Sequence, residues 1–255
     1  MRKIWAIAFN TFRENIRDRI LYNLLVFALI MIVLSIALVQ LSTGQWERIA
    51  VDVGLGSISI FGSLIAIFLG ITLVSKEIEK RTIYTLLSKP ISRTGFLIGK
   101  YLGLNFTILV NLAVMIVVYL LVLYFLKVKF NWAQAQAIIL LFIKFSIVVA
   151  IALFFSSFST PTLSAIFTLS LFVIGHLTID IKTFGEHSKN LAFKYFAKVI
   201  YYIIPNLSNY SWVDKATYAI TMPAKEFIIC IITGIITAGL ILTLASIILE
   251  RRDFV

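Results

Sequence analysis

Apolar residues run without a charge from 20 to 46, 53 to 75, 101 to 126, 145 to 179 and 227 to 249, and charges collect between these runs. A helix crossing the hydrocarbon core of a bilayer takes about 20 residues at about 1.5 Å each, so every run is long enough to span. The pattern predicts six transmembrane helices, near 20–41, 54–75, within 101–126, 133–157, 162–180 and 227–249. The fourth and fifth are separated by "SSFSTPT" at 156–162, where Pro161 would stop a continuing helix and a tight hairpin is expected.

Two further segments carry helical rather than continuous apolarity. In "MRKIWAIAFNTFRENIRDRI", Ile4 or Trp5, Phe9, Phe12, Ile16 and Ile20 recur at three- and four-residue steps, with Lys3, Asn10, Arg13, Glu14 and Arg17 on other faces. That spacing predicts an amphipathic helix over 1–19, lying in the membrane interface and entering the first span at an elbow. The charges that break its apolar stretch, and the lack of a small-residue cleavage site, argue against a signal peptide. In "KNLAFKYFAKVIYYII" at 189–204, Phe193, Phe196 and Ile200 share a side and Lys189, Lys194 and Lys198 occupy the remainder, and Pro205 ends the run. This predicts an interfacial helix between the fifth and sixth spans, with a re-entrant element as the alternative.

Composition agrees with a membrane protein: 60% of residues are hydrophobic and 14% charged, with a strongly positive mean hydropathy. The 255 residues are read as one domain: 1–19 interfacial helix, 20–180 five spans, 181–225 extracytoplasmic helical segment, 226–255 last span and tail. The formal net charge of +11 is unevenly spread. Basic residues crowd the N-terminal segment, the 75–100 segment and the tail (Arg251, Arg252), whereas loops 42–53 and 127–132 hold Arg48, Lys127 and Lys129. Retention of basic loops on the cytoplasmic side places both termini and the 75–100 segment there, in a multi-pass protein of a prokaryotic inner membrane. The single cysteine, Cys230, has no partner in the chain for a disulfide or a thiolate cluster. Small residues four apart, Gly62, Ala66 and Gly70, and Gly95, Gly99 and Gly103, allow close helix contacts without naming the partner helices.

Catalytic chemistry finds little support. "GFLIGKY" lacks one residue between its glycines and the hydroxyl after lysine that a phosphate-binding loop needs. His176 and Asp180, one helical turn apart with Glu186 and His187 beyond, are either metal ligands or polar interface residues, and their spacing favours the latter. No Ser/His/Asp order or pair of intramembrane carboxylates marks a catalytic centre. Lys144 is the ionisable residue well inside a span, at a cost of about 2.5–3.5 kcal/mol at a helix centre. It has two readings: it faces a polar translocation path, or it snorkels to the interface from an outward-extended helix.

The densest charge lies in "SKEIEKRTIYTLLSKPISRTGFLIGKYLG" at 75–103. Residues 76–88 have helical spacing, with Ile78, Ile83, Leu86 and Leu87 as apolar anchors among Lys76, Glu77, Glu79, Lys80 and Arg81, and Pro90 as the stop. A solvated loop that merely sets topology would explain the charges but not the interposed apolar residues. The stretch resembles the characteristic cytoplasmic segment after the second span of ABC-2 type transporter permeases: an acidic residue and a threonine, a Leu-Leu pair, a proline, an arginine and a Gly-Lys pair, in that order. These look like Glu77 or Glu79, Thr82, Leu86-Leu87, Pro90, Arg93 and Gly99-Lys100. Arg81 stands where many members have glycine. Permeases of the nitrous-oxide-reductase maturation type are among the similar ones.

The resemblance implies an all-α membrane domain with a cytoplasmic coupling helix between spans two and three. It also implies transport without catalytic residues in this chain, and two copies of a separate ATP-binding subunit that hold ATP and Mg beneath two permease chains. A homodimer is favoured, and no nucleic-acid partner is expected. The coupling set it suggests is Glu77, Glu79, Arg81, Thr82, Ile83, Leu86, Leu87, Pro90 and Arg93, within 76–93. Rival classes are a membrane enzyme acting on a lipid or intramembrane substrate, and a non-transporting anchor.

Overall fold

In a computed structural model of the chain, residues 2–17, 19–40, 44–79, 92–188 and 190–251 are described. They form nine α-helices and a 3₁₀ turn: α1 Arg2–Asn15, α2 Arg19–Gln40, α3 Trp46–Glu79, α4 Arg93–Phe125, α5 Trp132–Ser156, α6 Pro161–His187, α7 Leu191–Ile203, the turn Leu207–Tyr210, α8 Val213–Thr217 and α9 Ala224–Arg251. Six of them, α2 to α6 and α9, are long and apolar enough to cross a membrane. The predicted hairpin between the fourth and fifth spans is present. Helix α5 stops at Ser156, and Pro161 opens α6, where a missing N–H costs nothing because the first helical amides have no intrahelical acceptor.

Two helices outrun their charge-free intervals. Helix α3 starts at Trp46, taking in Glu47, Arg48 and Asp52, and continues unbroken to Glu79; at 34 residues it is about 51 Å long by its rise per residue. Helix α4 begins at Arg93, with the Ser92 hydroxyl accepting from the Gly95 amide at 3.1 Å, and so absorbs Arg93 and Lys100. Charges bound the stretch that sits in hydrocarbon, but helical hydrogen bonding continues past it into water and headgroups. A 79–92 connection remains between α3 and α4, of which residues 80–91 lie outside the described residues.

Helix α5 is the centre of the bundle. In its most apolar 18-residue stretch 72% of residues are buried in protein, against 22% in α2 and α6 and 11% in α9. It packs on α3, α9, α6 and α4. Apolar side chains gain little by leaving lipid for protein, so close backbone approach and shape complementarity select these contacts. The small-residue row of α3 shows how: a Cβ at Gly62 would stand 2.3 Å from Phe145, and one at Gly70 2.4 Å from the Ala152 Cβ, both on α5.

The row Gly95, Gly99, Gly103 has a different partner, α1. A Cβ at Gly99 would meet Ile7 at 2.8 Å, and one at Gly103 would meet the Ala8 carbonyl oxygen and Thr11 Cβ, each at 2.6 Å. The contact with α4 uses a face of α1 other than most of its apolar stripe. Ala8, Thr11 and Asn15 are buried, while Trp5 is 69% and Phe9 58% exposed; of the expected stripe, Phe12 packs edge-on to Phe106 of α4. The protein-facing side is the one with the smaller residues, because only those let α1 approach the glycines, and the large aromatics are left for lipid.

Helix α7 packs against α6. It folds back antiparallel along α6, with Gly185 against Ala197, the Lys182 ammonium 4.3 Å from the Tyr201 ring centroid, and the Ser208 hydroxyl donating to the His176 carbonyl further along. Ala197 is the buried residue of α7. A glycine facing an alanine lets the two helices touch along their length.

Candidate functional site

The cytoplasmic-type motif ends in a built junction. Arg93, in the first turn of α4, donates from Nη1 to the Leu249 carbonyl at 2.8 Å and the Glu250 carbonyl at 3.0 Å, and the Thr94 hydroxyl donates to Glu250 Oε1 at 3.1 Å. The last carbonyls of α9 lack intrahelical donors and carry partial negative charge, so a guanidinium there satisfies them and complements the helix dipole. The start of α4 is thereby held between α1 and the end of α9. Of the predicted coupling set, Glu77 and Glu79 continue the backbone of α3, and Arg93 sits on α9. Arg81, Thr82, Ile83, Leu86, Leu87 and Pro90 fall outside the described residues. Glu250 and Thr94 were not singled out from the sequence; a lone carboxylate in a basic tail gives no signal of its partner until the helices are brought together.

The second locus is Lys144, midway along α5 and 1% exposed. It does not snorkel, which corrects that reading: the helix is centred on it, and protein encloses it. Its Nζ donates to the Ser59 hydroxyl of α3 at 2.7 Å and lies 5.8 Å from the Phe145 ring centroid. His176 of α6 is near enough to interact with it electrostatically. Several other buried polar groups of the bundle are paired, while the Thr11, Ser156 and Thr168 hydroxyls and the Asn15 amide are buried without a hydrogen-bond partner among the described residues. The Tyr119 hydroxyl donates to Gln134 Oε1 at 3.1 Å, Gln136 exchanges two 2.9 Å hydrogen bonds with the backbone of Met222, and the Ser146 hydroxyl donates to Asn105. Lys144 has three N–H donors and, among the described residues, one hydrogen bond.

A buried ammonium with one neutral acceptor recovers little of its lost hydration, and it would attract an anionic group. Lys144→Met removes the charge at nearly constant volume and is expected to raise the thermal unfolding midpoint in detergent. Ser59→Ala, which strips the ammonium of its acceptor, is expected to lower stability by about 1–3 kcal/mol.

His176 flanks the Lys144 locus. Its Nδ1 is 2.9 Å from the Phe172 carbonyl of its own helix, and among the described residues no three His, Cys, Asp or Glu side chains converge as metal ligands. Among the described residues, six helices are long and apolar enough to cross a membrane, with Lys144 buried at the centre of α5. A family model described as ABC-2 family transporter protein matches residues 5–253. The chain belongs to the ABC-2 transporter family. As a family member it is a multi-pass membrane permease of an ABC transporter, a class that works with an ATP-binding partner, and the match takes in α1 and α9 along with the core spans. A comparison with curated proteins finds no match.

Proposed function

We propose that the chain is the membrane-spanning subunit of an ATP-driven exporter, coupled through residues 76–93 to a separate nucleotide-binding subunit that carries ATP and Mg. Two permease chains, a homodimer, stand over two copies of that subunit. Both termini and the 76–93 segment lie on the cytoplasmic face of a prokaryotic inner membrane, in keeping with the crowding of basic residues at those places.

The observation that carries this reading is the continuity of α3. One unbroken helix joins Glu79, at the edge of the charged segment, to Ser59, which holds Lys144. The 20 residues between them span about 30 Å at the helical rise. A push on the segment by closing ATPase subunits would move α3 as a rod and shift the hydroxyl on which the Lys144 ammonium depends. Lys144 then serves the translocation path, taking an anionic or hydrogen-bonding group of the cargo when Ser59 withdraws.

Purification of the chain with its partner ATPase in mild detergent tests the proposal. A mass equal to two permeases and two ATPases is expected, with an ATPase rate that depends on the permease. Turnover of a substrate by the permease alone would indicate an enzyme, and an ATPase rate indifferent to the permease would indicate an anchor.

A further inference from the structure

The α6–α7 hairpin carries an arrangement that coupling and transport leave unused. With Gly185 opposite Ala197 and Lys182 opposite Tyr201, the antiparallel register puts Lys198 beside Phe184 and Lys194 beside Ser188. Lys182, Lys194 and Lys198 therefore stand within six residues along the hairpin axis, about 9 Å at the helical rise. On the α7 helical wheel Lys194, Lys198 and Tyr201 occupy one arc, with the Lys182 ammonium over the Tyr201 ring. The opposite arc, Tyr195, Phe196, Val199 and Ile203, is exposed and apolar. Past Lys198 no charge occurs until Asp214. Asp180 and Glu186 are the carboxylates of this stretch, both exposed, and against Lys182, Lys189, Lys194 and Lys198 they leave it net positive.

A cluster of ammonium groups at one level, with an uncharged apolar face beside and beyond it, matches a single kind of surface. We infer that Lys182, Lys194 and Lys198 form a headgroup site for an anionic glycerophospholipid of the leaflet at this end of the bundle. The apolar arc of α7 lies against the acyl chains, the tyrosines stand at headgroup depth, and the lysines meet the phosphate and any further headgroup anion. The aromatic residues alone would anchor the hairpin at an interface of either charge; the lysines sharing one arc make the preference anionic.

Native mass spectrometry of the delipidated full-length protein, titrated with short-chain phosphatidylglycerol or phosphatidylcholine, tests this. The wild type is expected to hold phosphatidylglycerol at least tenfold more tightly, since each lysine near an anionic surface is worth roughly fivefold. Lys182→Gln/Lys194→Gln/Lys198→Gln is expected to lose that preference, and the triple arginine variant to keep it. Lys127→Gln/Lys129→Gln, which removes exposed lysines from the α4–α5 loop, is expected to keep it too. All of these side chains lie outside the buried core, and an unchanged elution profile checks folding. The inference is overturned if the wild type shows no preference or if the glutamine variant retains it, as it would were the patch built for an acidic protein. Equal loss in the Lys127/Lys129 variant, which would mean diffuse attraction, also overturns it, as does glycerol phosphate binding as tightly as the lipid, which would mean a free-anion site.

Discussion

Gly103→Leu is expected to pry α1 off the bundle. The new Cβ would lie 2.6 Å from the Ala8 carbonyl oxygen and 2.6 Å from Thr11 Cβ, and the leucine adds three more carbons beyond it. Backbone cannot rotate aside as a side chain can, so relief requires α1 as a whole to move. That movement also lifts Ile7 from Gly99 and Phe12 from Phe106, and it exposes the buried Thr11 and Asn15. Overpacking of a close contact costs about 1–3 kcal/mol where neighbours can adjust, and more is expected against backbone. Protease cleavage within residues 2–17 of detergent-solubilised protein should accelerate at least tenfold, while α2 to α9 hold together. Gly56→Ala is the control: nothing lies within 4 Å of its Cβ, and replacing a mid-helix glycine there should be neutral or stabilising by up to about 1 kcal/mol. Unchanged cleavage in the Gly103 variant would mean that the α1–α4 contact does not hold α1.

Replacing Leu86 and Leu87 together by alanine is expected to abolish ATP-driven transport while leaving the permease inserted at normal levels. A helix docked in a partner's cleft concentrates binding energy in a few buried apolar anchors, with the surrounding charges setting register. Truncating two anchors should cost several kcal/mol of association, enough to release the ATPase at cellular concentrations, while the six apolar spans are untouched. Glu77→Lys should weaken coupling less, and Lys89→Ala, off the apolar face, should change it little. Co-purification of the ATPase and vesicle transport are the measurements. Full transport by the double variant would reduce 76–93 to a topology signal.

The six spans were legible in the chain because insertion into hydrocarbon is decided locally: about 20 residues free of charge suffice, whatever their neighbours. The hairpin at Pro161 was legible for the same reason, since a missing N–H acts within its own turn. Helix ends were less so. Arg93 and Lys100 lie outside the charge-free run, yet they are helical, because a Ser92 cap and the α1 and α9 contacts extend α4 beyond it.

The candidate site was legible only in part. Lys144 stood out as an isolated charge, but its burial, its Ser59 partner and the pairing of Gln134, Gln136 and Asn105 elsewhere in the bundle depend on which helix faces which. Uncharged polar residues cost too little on insertion to mark themselves.

By itself, then, the sequence determined the class, the number of spans, the small-residue rows and the family motif, all properties of single segments. The tertiary structure decided that Gly99 and Gly103 receive α1, that Gly62 and Gly70 receive α5, that Arg93 closes the end of α9 and that α7 doubles back on α6. The physical reason is that lipid and protein interior are equally apolar, so hydrophobicity places a helix in the membrane without choosing its neighbour. That choice falls to sub-ångström fit between backbones and to hydrogen bonds between residues far apart in the chain.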